Sequence, residues 1–538
     1  MELKATAFAV SAFRQLPVLA AGLIIALPVV VVLATGLAEG GGAAWTHIRD
    51  TLLMRYLAGT VSVLTLTAIF CLLMAVPAAW LVTMFRFPGR SLFEWLLVLP
   101  LAAPGYVLAY AWSDLAGVGG PIQSALRGVT GWGARDYWFP DISSLPGLAF
   151  VLACTLYPYV YLTARAAFIS QSVCTLEAAR SLGAGAGRTF WSVALPGARP
   201  AIAAGLALAL MEAAADYGAA EFLGVPTLTY GIVRAWKSFG EPAAAARLAF
   251  VLLALILTFV IVERQARGRA GIQQSSIRWR QISRARLTGA PALGALALCS
   301  VVFTLAFALP VGRLIWRSVE AGTGSAPVMD ALGNSLLLAA AGASIAFILA
   351  LIIALSIRTR GRLATFARIS ASSGYAIPGA VLALGALAVI SVLPVNLSGG
   401  VALAALAWIY AVRFTAAGTE PMAAALARAP ASIGQAAQSL GASPLRRTLA
   451  VDLPVAMSGA AAAALVLFVE ALKELPATLM LRPFNWDTLA VRAHAYASDE
   501  RLAAAALPAL LITCAGLLPV VLLTWQMSRA RPGGQTDA

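Results

Sequence analysis

Long apolar runs separated by short polar segments dominate the chain. Windows of roughly 20 mostly apolar residues, the length that crosses a bilayer, fall near 16–37, 57–83, 95–113, 147–169, 201–221 and 247–263. A second set falls near 291–312, 333–357, 371–393, 400–419, 456–475 and 504–527. Ala, Leu and Val run through them without the alternation of a strand or the turn residues of a hairpin, so each window predicts a helix. A bilayer offers no water to an unsatisfied backbone, which makes the helix the form such segments must take. The reading is an all-α polytopic membrane protein with about twelve transmembrane helices. The first run is longer than the h-region of a signal peptide, about 7–15 residues, and is read as an uncleaved first helix.

Composition supports the pattern and charge adds orientation. Of 538 residues, 61% are hydrophobic and 11% charged, against about 25% charged in a soluble domain. A soluble enzyme is excluded for the whole chain, and so is disorder, which has the opposite composition. The net charge of +15 is concentrated on alternate loops. Lys4, Arg14, Arg86, Arg90, Arg165, Arg180, Arg188 and Arg199 lie on one side, with Arg264 to Arg286, Arg358 to Arg368, Arg413, Arg428, Arg446, Arg447, Arg529 and Arg531. The opposite loops are near neutral. Basic loops stay in the cytoplasm, which predicts that both termini are cytoplasmic. The basic balance is therefore topology; no aromatic-interleaved basic groove suggests nucleic acid. The five cysteines (Cys71, Cys154, Cys174, Cys299, Cys514) have no metal or redox spacing and read as small core residues. With His47 and His494 as the only histidines, a histidine-based metalloenzyme is excluded, and no metal ligand set can be named.

The chain also repeats itself. Asn334-Ser335 falls where Thr60-Val61 does, 274 positions on, and Pro378-Gly379 falls on Pro104-Gly105 at the same offset. Beyond a longer outer loop near 114–146 in the first half, the offset becomes 258. There Glu177-Ala-Ala-Arg-Ser-Leu-Gly183 aligns with Gln435-Ala-Ala-Gln-Ser-Leu-Gly441, and Leu195-Pro196 with Leu453-Pro454. Glu212 and Asp216 fall on Glu470 and Glu474, and Arg234 on Arg492. The division is a first six-span repeat at 1–263, a basic linker at 264–290 and a second six-span repeat at 291–538. Six spans is an even number, so both copies insert the same way, as a parallel repeat.

The loop between the fourth and fifth spans of each half carries a spaced pattern: Glu-Ala-Ala, three residues, Gly, nine residues, an apolar residue, one more, then Leu-Pro. Physically this is a short amphipathic helix, a glycine that turns the chain, and a second segment closed by Pro196 or Pro454. Such a helix offers a rigid knob to a soluble partner.

At these residues the sequence resembles the fused permease subunits of binding-protein-dependent ATP-binding-cassette importers, and most of all the ferric-iron permeases. The likeness extends through Leu156-Tyr-Pro-Tyr-Val-Tyr-Leu162, Leu176-Glu-Ala-Ala-Arg-Ser-Leu-Gly-Ala184, Ala201-Ile-Ala-Ala-Gly-Leu206 and Phe222-Leu-Gly-Val-Pro-Thr227. In the second half it covers Glu474-Leu-Pro-Ala-Thr-Leu479 and Trp486-Asp-Thr-Leu-Ala-Val-Arg492. The resemblance implies that Glu177, Ala178, Ala179, Gly183, Leu195 and Pro196 couple to one subunit of a cytoplasmic ATPase dimer. Gln435, Ala436, Ala437, Gly441, Leu453 and Pro454 couple to the other. Gln435 keeps hydrogen bonding where the pattern has Glu but loses the charge, which puts an ion pair there in doubt. It further implies an external solute-binding protein as partner, lipid around the spans, and no cofactor on this chain. ATP is hydrolysed by the partner subunits: a P-loop needs Gly before Lys, and Lys4, Lys237 and Lys473 follow Leu, Trp and Leu.

Charges inside a span are functional candidates. Glu212 and Asp216 lie one helical turn apart, and Glu470 and Glu474 repeat them. Carboxylates suit a hard cation, yet they could equally pair with Lys473 or with backbone groups and orient a gate. Pro104-Gly105 and Pro378-Gly379 interrupt the third span of each half, which marks a pathway, a hinge or a simple kink. Tyr157, Tyr159 and Tyr161 read as interfacial anchors. Trp236, Trp486, Arg234 and Arg492 sit in matched outer segments, facing a binding protein or packing at the interface. The function expected is ferric-iron import by alternating access. Another small solute (thiamine, a phosphonate, a polyamine) or a proton-coupled secondary transporter are the alternatives.

Overall fold

The computed structural model describes residues 2–37, 42–170, 185–267, 284–322, 326–357, 361–394 and 398–529. The described chain is helical apart from a two-residue parallel pairing of Phe85-Arg86 with Ala285-Arg286. Eight helices are long and apolar enough to cross a membrane, and three further pairs pass that test only as bent spans. The bent pairs are Arg90–Ala102 with Gly105–Thr130, Arg362–Ala376 with Gly379–Val392, and Leu445–Met457 with Ala460–Leu472. All twelve apolar windows of the sequence fall on helix. The window 247–263 lies on the 26-residue helix Pro242–Arg267.

Packing divides the chain into two compact units interleaved along the sequence. One comprises Met1–Thr51, Gly231–Phe250 and Thr323–Ala495; the other Leu52–Tyr230, Val251–Gly322 and Tyr496–Ala538. Each repeat of the sequence thus contributes its first span to the unit built mainly from the other repeat.

In the first unit, helix Glu2–Leu37 packs against Arg362–Ala376 and Gly379–Val392, and Ala326–Ser356 packs against Gly399–Arg428. Two prolines inside the first helix, Pro17 and Pro28, remove backbone donors that lipid cannot replace. The carbonyl that Pro28 leaves without its intrahelical partner is that of Ile24. It accepts instead from the Trp408 indole Nε1–H at 3.1 Å, so a neighbouring span repairs the break, as tolerated prolines in membranes require.

In the second unit, helix Leu53–Met84 packs along Leu145–Ser170, and the fifth span, Leu195–Ala215, lies against both. Helix Leu309–Ala321 packs on Leu502–Arg529. The described end of the linker is tied to the foot of the second span: besides the short strand pair, the Arg284 Nε–H donates to the Thr83 carbonyl at 3.3 Å and the Leu287 N–H to Arg86 at 2.9 Å. Cys71, Cys154 and Cys299 are free and buried among the helices and Cys514 is free and exposed; Cys174 lies outside the described residues.

The tyrosines of the fourth span differ from expectation. Tyr157 and Tyr161 are fully buried in the interior of a 26-residue helix rather than at a membrane interface. The Tyr157 hydroxyl donates to the Leu97 carbonyl at 2.8 Å, which makes it a brace between the third and fourth spans.

Candidate functional site

Each Pro-Gly break meets the acid at the end of the fifth span of its own repeat. In the second unit, Pro104 is extended and opens helix Gly105–Ala116, bending the third span by 99°. A β-carbon on Gly105 would stand 2.9 Å from Asp216 Oδ2 and 3.1 Å from Leu152 Cδ2. In the first unit, Pro378 opens Gly379–Val392 with a bend of 114°. A β-carbon on Gly379 would fall into the Glu474 carboxylate and 2.6 Å from Arg413 Nη1. Both glycines are there because the backbone must pass a carboxylate closely. Features that lie about a hundred residues apart in sequence thus form one matched constellation in each repeat.

Each acid caps the short helix that follows the fifth span. Asp216 Oδ1 accepts from the Ala219 N–H at 2.8 Å, at the start of helix Gly218–Phe222. Glu474 accepts from the Ala477 N–H at 3.1 Å and the Thr478 N–H at 3.4 Å, at the start of Pro476–Leu481. A carboxylate at a helix N-terminus satisfies donors with no intrahelical partner and complements the helix dipole. In a bilayer, where no water can take over, such caps hold the fifth span and the short helix at a fixed angle.

The repeats differ in how they balance this charge. Glu474, 5% exposed, is ion-paired with Arg413 at 3.3 Å, and Glu470 with Lys473 at 2.7 Å. Arg413 is therefore not a loop cation, as its inclusion among the basic loops had it. It lies within helix Gly399–Arg428 and points at the acid. Its position inside an apolar window was the sequence signal for that. The corresponding residues of the first repeat are Thr155 and Ala215, neither of them basic. Glu212 is half-buried and has no hydrogen-bond or ion-pair partner among the described residues.

A second matched device lies at the helices after the acids. The Leu228 N–H, at the head of helix Leu228–Lys237, donates to Thr60 Oγ1 at 2.8 Å. The Leu489 N–H, at the head of Leu489–Ser498, donates to Ser335 Oγ at 2.7 Å. The two hydroxyls, one position out of register at the offset of 274, thus anchor these helices to the second span of each repeat. Asn334 adds a bond from its side-chain amide to the Asp487 carbonyl at 3.0 Å. The Asp487 carboxylate pairs with Arg482 at 2.5 Å and Arg492 at 2.9 Å, whereas Arg234 is exposed, its guanidinium 5.8 Å from the Phe239 ring centre. Trp236 and Trp486 are both half-buried.

Of the spaced loop pattern, Glu177, Ala178, Ala179 and Gly183 lie outside the described residues. In the second repeat the pattern forms helix Ala431–Ser439, with Gln435 and Ala436 exposed and Ala437 half-buried. Gly441 takes the left-handed conformation, φ +78°, which glycine adopts without strain. Leu195-Pro196 and Leu453-Pro454 do not close a segment: each lies inside a continuous helix, Gly187–Ala215 and Leu445–Met457, directly after a π-type turn (Phe190–Ala194 and Thr448–Asp452), the kind of local adjustment that lets a helix keep a proline. Among the described residues no group of three or more His, Cys, Asp or Glu side chains is placed to hold a metal ion.

A duplicated set of membrane-crossing helices, each copy with a broken third span locked to the end of its fifth, defines a transport subunit made of two permease modules. The chain belongs to the family of inner-membrane components of binding-protein-dependent transport systems, whose profile matches residues 64–268. It is thus a permease subunit of an ABC importer. Over 455 residues it is 26% identical to the Fe(3+)-transport system permease protein FbpB 2 of Haemophilus influenzae, covering 83% of this chain and 84% of that one. The molybdenum transport system permease protein ModB of Escherichia coli is 29% identical over 227 residues, 39% of this chain and 94% of its own. The sulfate transport system permease protein CysT of the same species is 31% identical over 206 residues, 37% of this chain and 70% of its own.

Proposed function

We propose that this chain forms the path for ferric iron in an ATP-driven importer, working by alternating access. An external binding protein delivers the solute. A cytoplasmic ATPase dimer drives the cycle through the loops around Glu177 and Gln435, and both termini lie in the cytoplasm. The observation that carries the iron reading is the likeness to the Fe(3+) permease along most of both chains, since the molybdate and sulfate relatives align with little more than a third of this chain. Charge supports it. The fifth spans carry four matched acids, Glu212, Asp216, Glu470 and Glu474, and carboxylates suit a hard cation.

A second reading has a specific basis in the 29% and 31% identities to molybdenum and sulfate permeases: the solute is an oxyanion. The deciding experiment expresses the chain with its ATPase and binding-protein chains in cells deficient in iron uptake and measures accumulation of labelled ferric citrate, molybdate and sulfate. ATP-dependent accumulation of iron alone supports the first reading, and that of an oxyanion overturns it. Accumulation that ignores ATP but collapses with a protonophore overturns the importer mechanism. The coupling role is tested by Gly441→Val, which puts a β-branched residue in the left-handed turn; uptake unchanged in that variant would remove the loop from the mechanism.

A further inference from the structure

We propose that Arg447 and Asp452 form an ionic mount that positions the second coupling helix, Ala431–Ser439, on the foot of its fifth span, and that the first repeat mounts its loop on aromatic rings instead. The inference rests on the coupling role proposed above and adds which residues set the geometry. Arg447 touches both parts that have to stay in register. Its guanidinium lies flat on the coupling helix at Gly434, where a β-carbon would stand 2.9 Å from Nε, 3.1 Å from Cζ and 3.2 Å from Nη2. The same Nε stands 3.5 Å from Asp452 Oδ2, an ion pair without a hydrogen bond. Asp452 is 3% exposed and is the last residue before the Leu453-Pro454 helix. Gly434 is buried while Gln435 and Ala436 beside it are exposed. The clamp therefore grips one face and leaves the other, with Ile433 and the 88%-exposed Leu440, free for a partner.

The first repeat has none of this chemistry. At the offset of 258, Gly434, Arg447 and Asp452 correspond to Leu176, Thr189 and Ala194. Instead, the two ends of its loop converge on Trp80. Phe168, just before the loop, lies 5.3 Å from the Trp80 ring centre, and Phe190, just after it, 5.2 Å. The two phenylalanines are 6.5 Å apart, within the range of favourable aromatic pairs. The second repeat replaces these three rings with Ala354, Leu426 and Thr448, and Ala354 and Leu426 there belong to an aliphatic cluster with Met422, Ala456 and Ala463. Each repeat thus carries one device and lacks every residue of the other. The helix of one loop is held by charge, and the described flanks of the other by packing.

The test uses the full chain assembled with its ATPase and binding-protein chains in liposomes, with uptake of ferric citrate and ATP hydrolysis read from the same vesicles. Arg447→Gln and Asp452→Asn are expected to lower the iron taken up per ATP hydrolysed at least fivefold while hydrolysis stays within twofold. The charge swap Arg447→Asp with Asp452→Arg is expected to recover half or more of that ratio. Spin labels at Gln435→Cys and Ala424→Cys should report a distance distribution that broadens in Arg447→Gln and narrows again in the swap. This readout needs no solute and stands even if the transported species is not iron. Uptake and hydrolysis falling in proportion, a distribution unchanged in Arg447→Gln, or a swap that restores nothing in an assembled complex would each overturn the mount. Unmutated vesicles that take up no solute on ATP would instead overturn the reading it rests on, leaving the spin-label result to decide the clamp itself.

Discussion

Placing a methyl group on Gly379 should damage the protein far more than placing one on Gly105, although the two glycines are repeat equivalents. At Gly379 the new β-carbon would enter the Glu474 carboxylate and stand 2.6 Å from Arg413 Nη1. The carboxylate has little room to yield. It is held by Arg413 at 3.3 Å and by the amides of Ala477 and Thr478. Withdrawing it breaks a buried ion pair, a loss of about 3–5 kcal/mol when a partner is left uncompensated. At Gly105 the nearest atom is Oδ2 of the half-exposed Asp216 at 2.9 Å, which can yield a few tenths of an ångström while Oδ1 keeps its bond to the Ala219 N–H, so the cost is that of mild overpacking, about 1 kcal/mol. Unfolding in mixed micelles followed by circular dichroism should therefore separate Gly379→Ala from Gly105→Ala by about 2–4 kcal/mol. A double-mutant cycle isolates the cause. In a Glu474→Ala background the carboxylate is gone and Gly379→Ala should cost less than about 1 kcal/mol, a coupling at or above the upper end of that for contacting residues. Equal losses in both backgrounds would refute the argument that the acid is what keeps a glycine at the break.

Three further outcomes follow from the same geometry. Arg413→Gln leaves Glu474 buried without its cation and should destabilise by about 3–5 kcal/mol, with Arg413→Gln plus Glu474→Gln less harmful than Arg413→Gln alone; thermal unfolding in nanodiscs checks both. Thr60→Ala and Ser335→Ala each remove the hydroxyl that accepts the first amide of the following helix, and each should cost about 1 kcal/mol by the same measurement. Asp114 holds Arg313 at 2.6 Å and Arg317 at 2.7 Å, joining the third span to helix Leu309–Ala321; Asp114→Asn should cost about 1–3 kcal/mol and expose that helix to limited proteolysis.

What the sequence could and could not reveal divides along a physical line. Helices in a bilayer are dictated by local composition, and all twelve apolar windows lie on helix. Prolines gave the places of the breaks, because a missing donor is a local property too. Pairing across long separations is not local. The Pro378-Gly379 break and Glu474 were each singled out separately, but nothing in their spacing brings a glycine under a carboxylate; that requires the packing of Gly399–Arg428 beside them, which also turns Arg413 from a loop charge into the acid's counterion. The same holds for Tyr157, read from its residue type as an interfacial anchor, while its hydroxyl finds Leu97 on another helix. The repeat is the one feature that carries long-range information in the sequence itself. Where it matches, as at Gly105 and Gly379, it points to a shared structural task. Where it fails, as at Thr155 opposite Arg413 or Thr189 opposite Arg447, the two modules have taken different solutions to one mechanical problem. Under the coupling proposed above, each half is free to do this as long as its loop keeps its place, so positions at which the repeat breaks beside a matched element are where asymmetry of function should be sought.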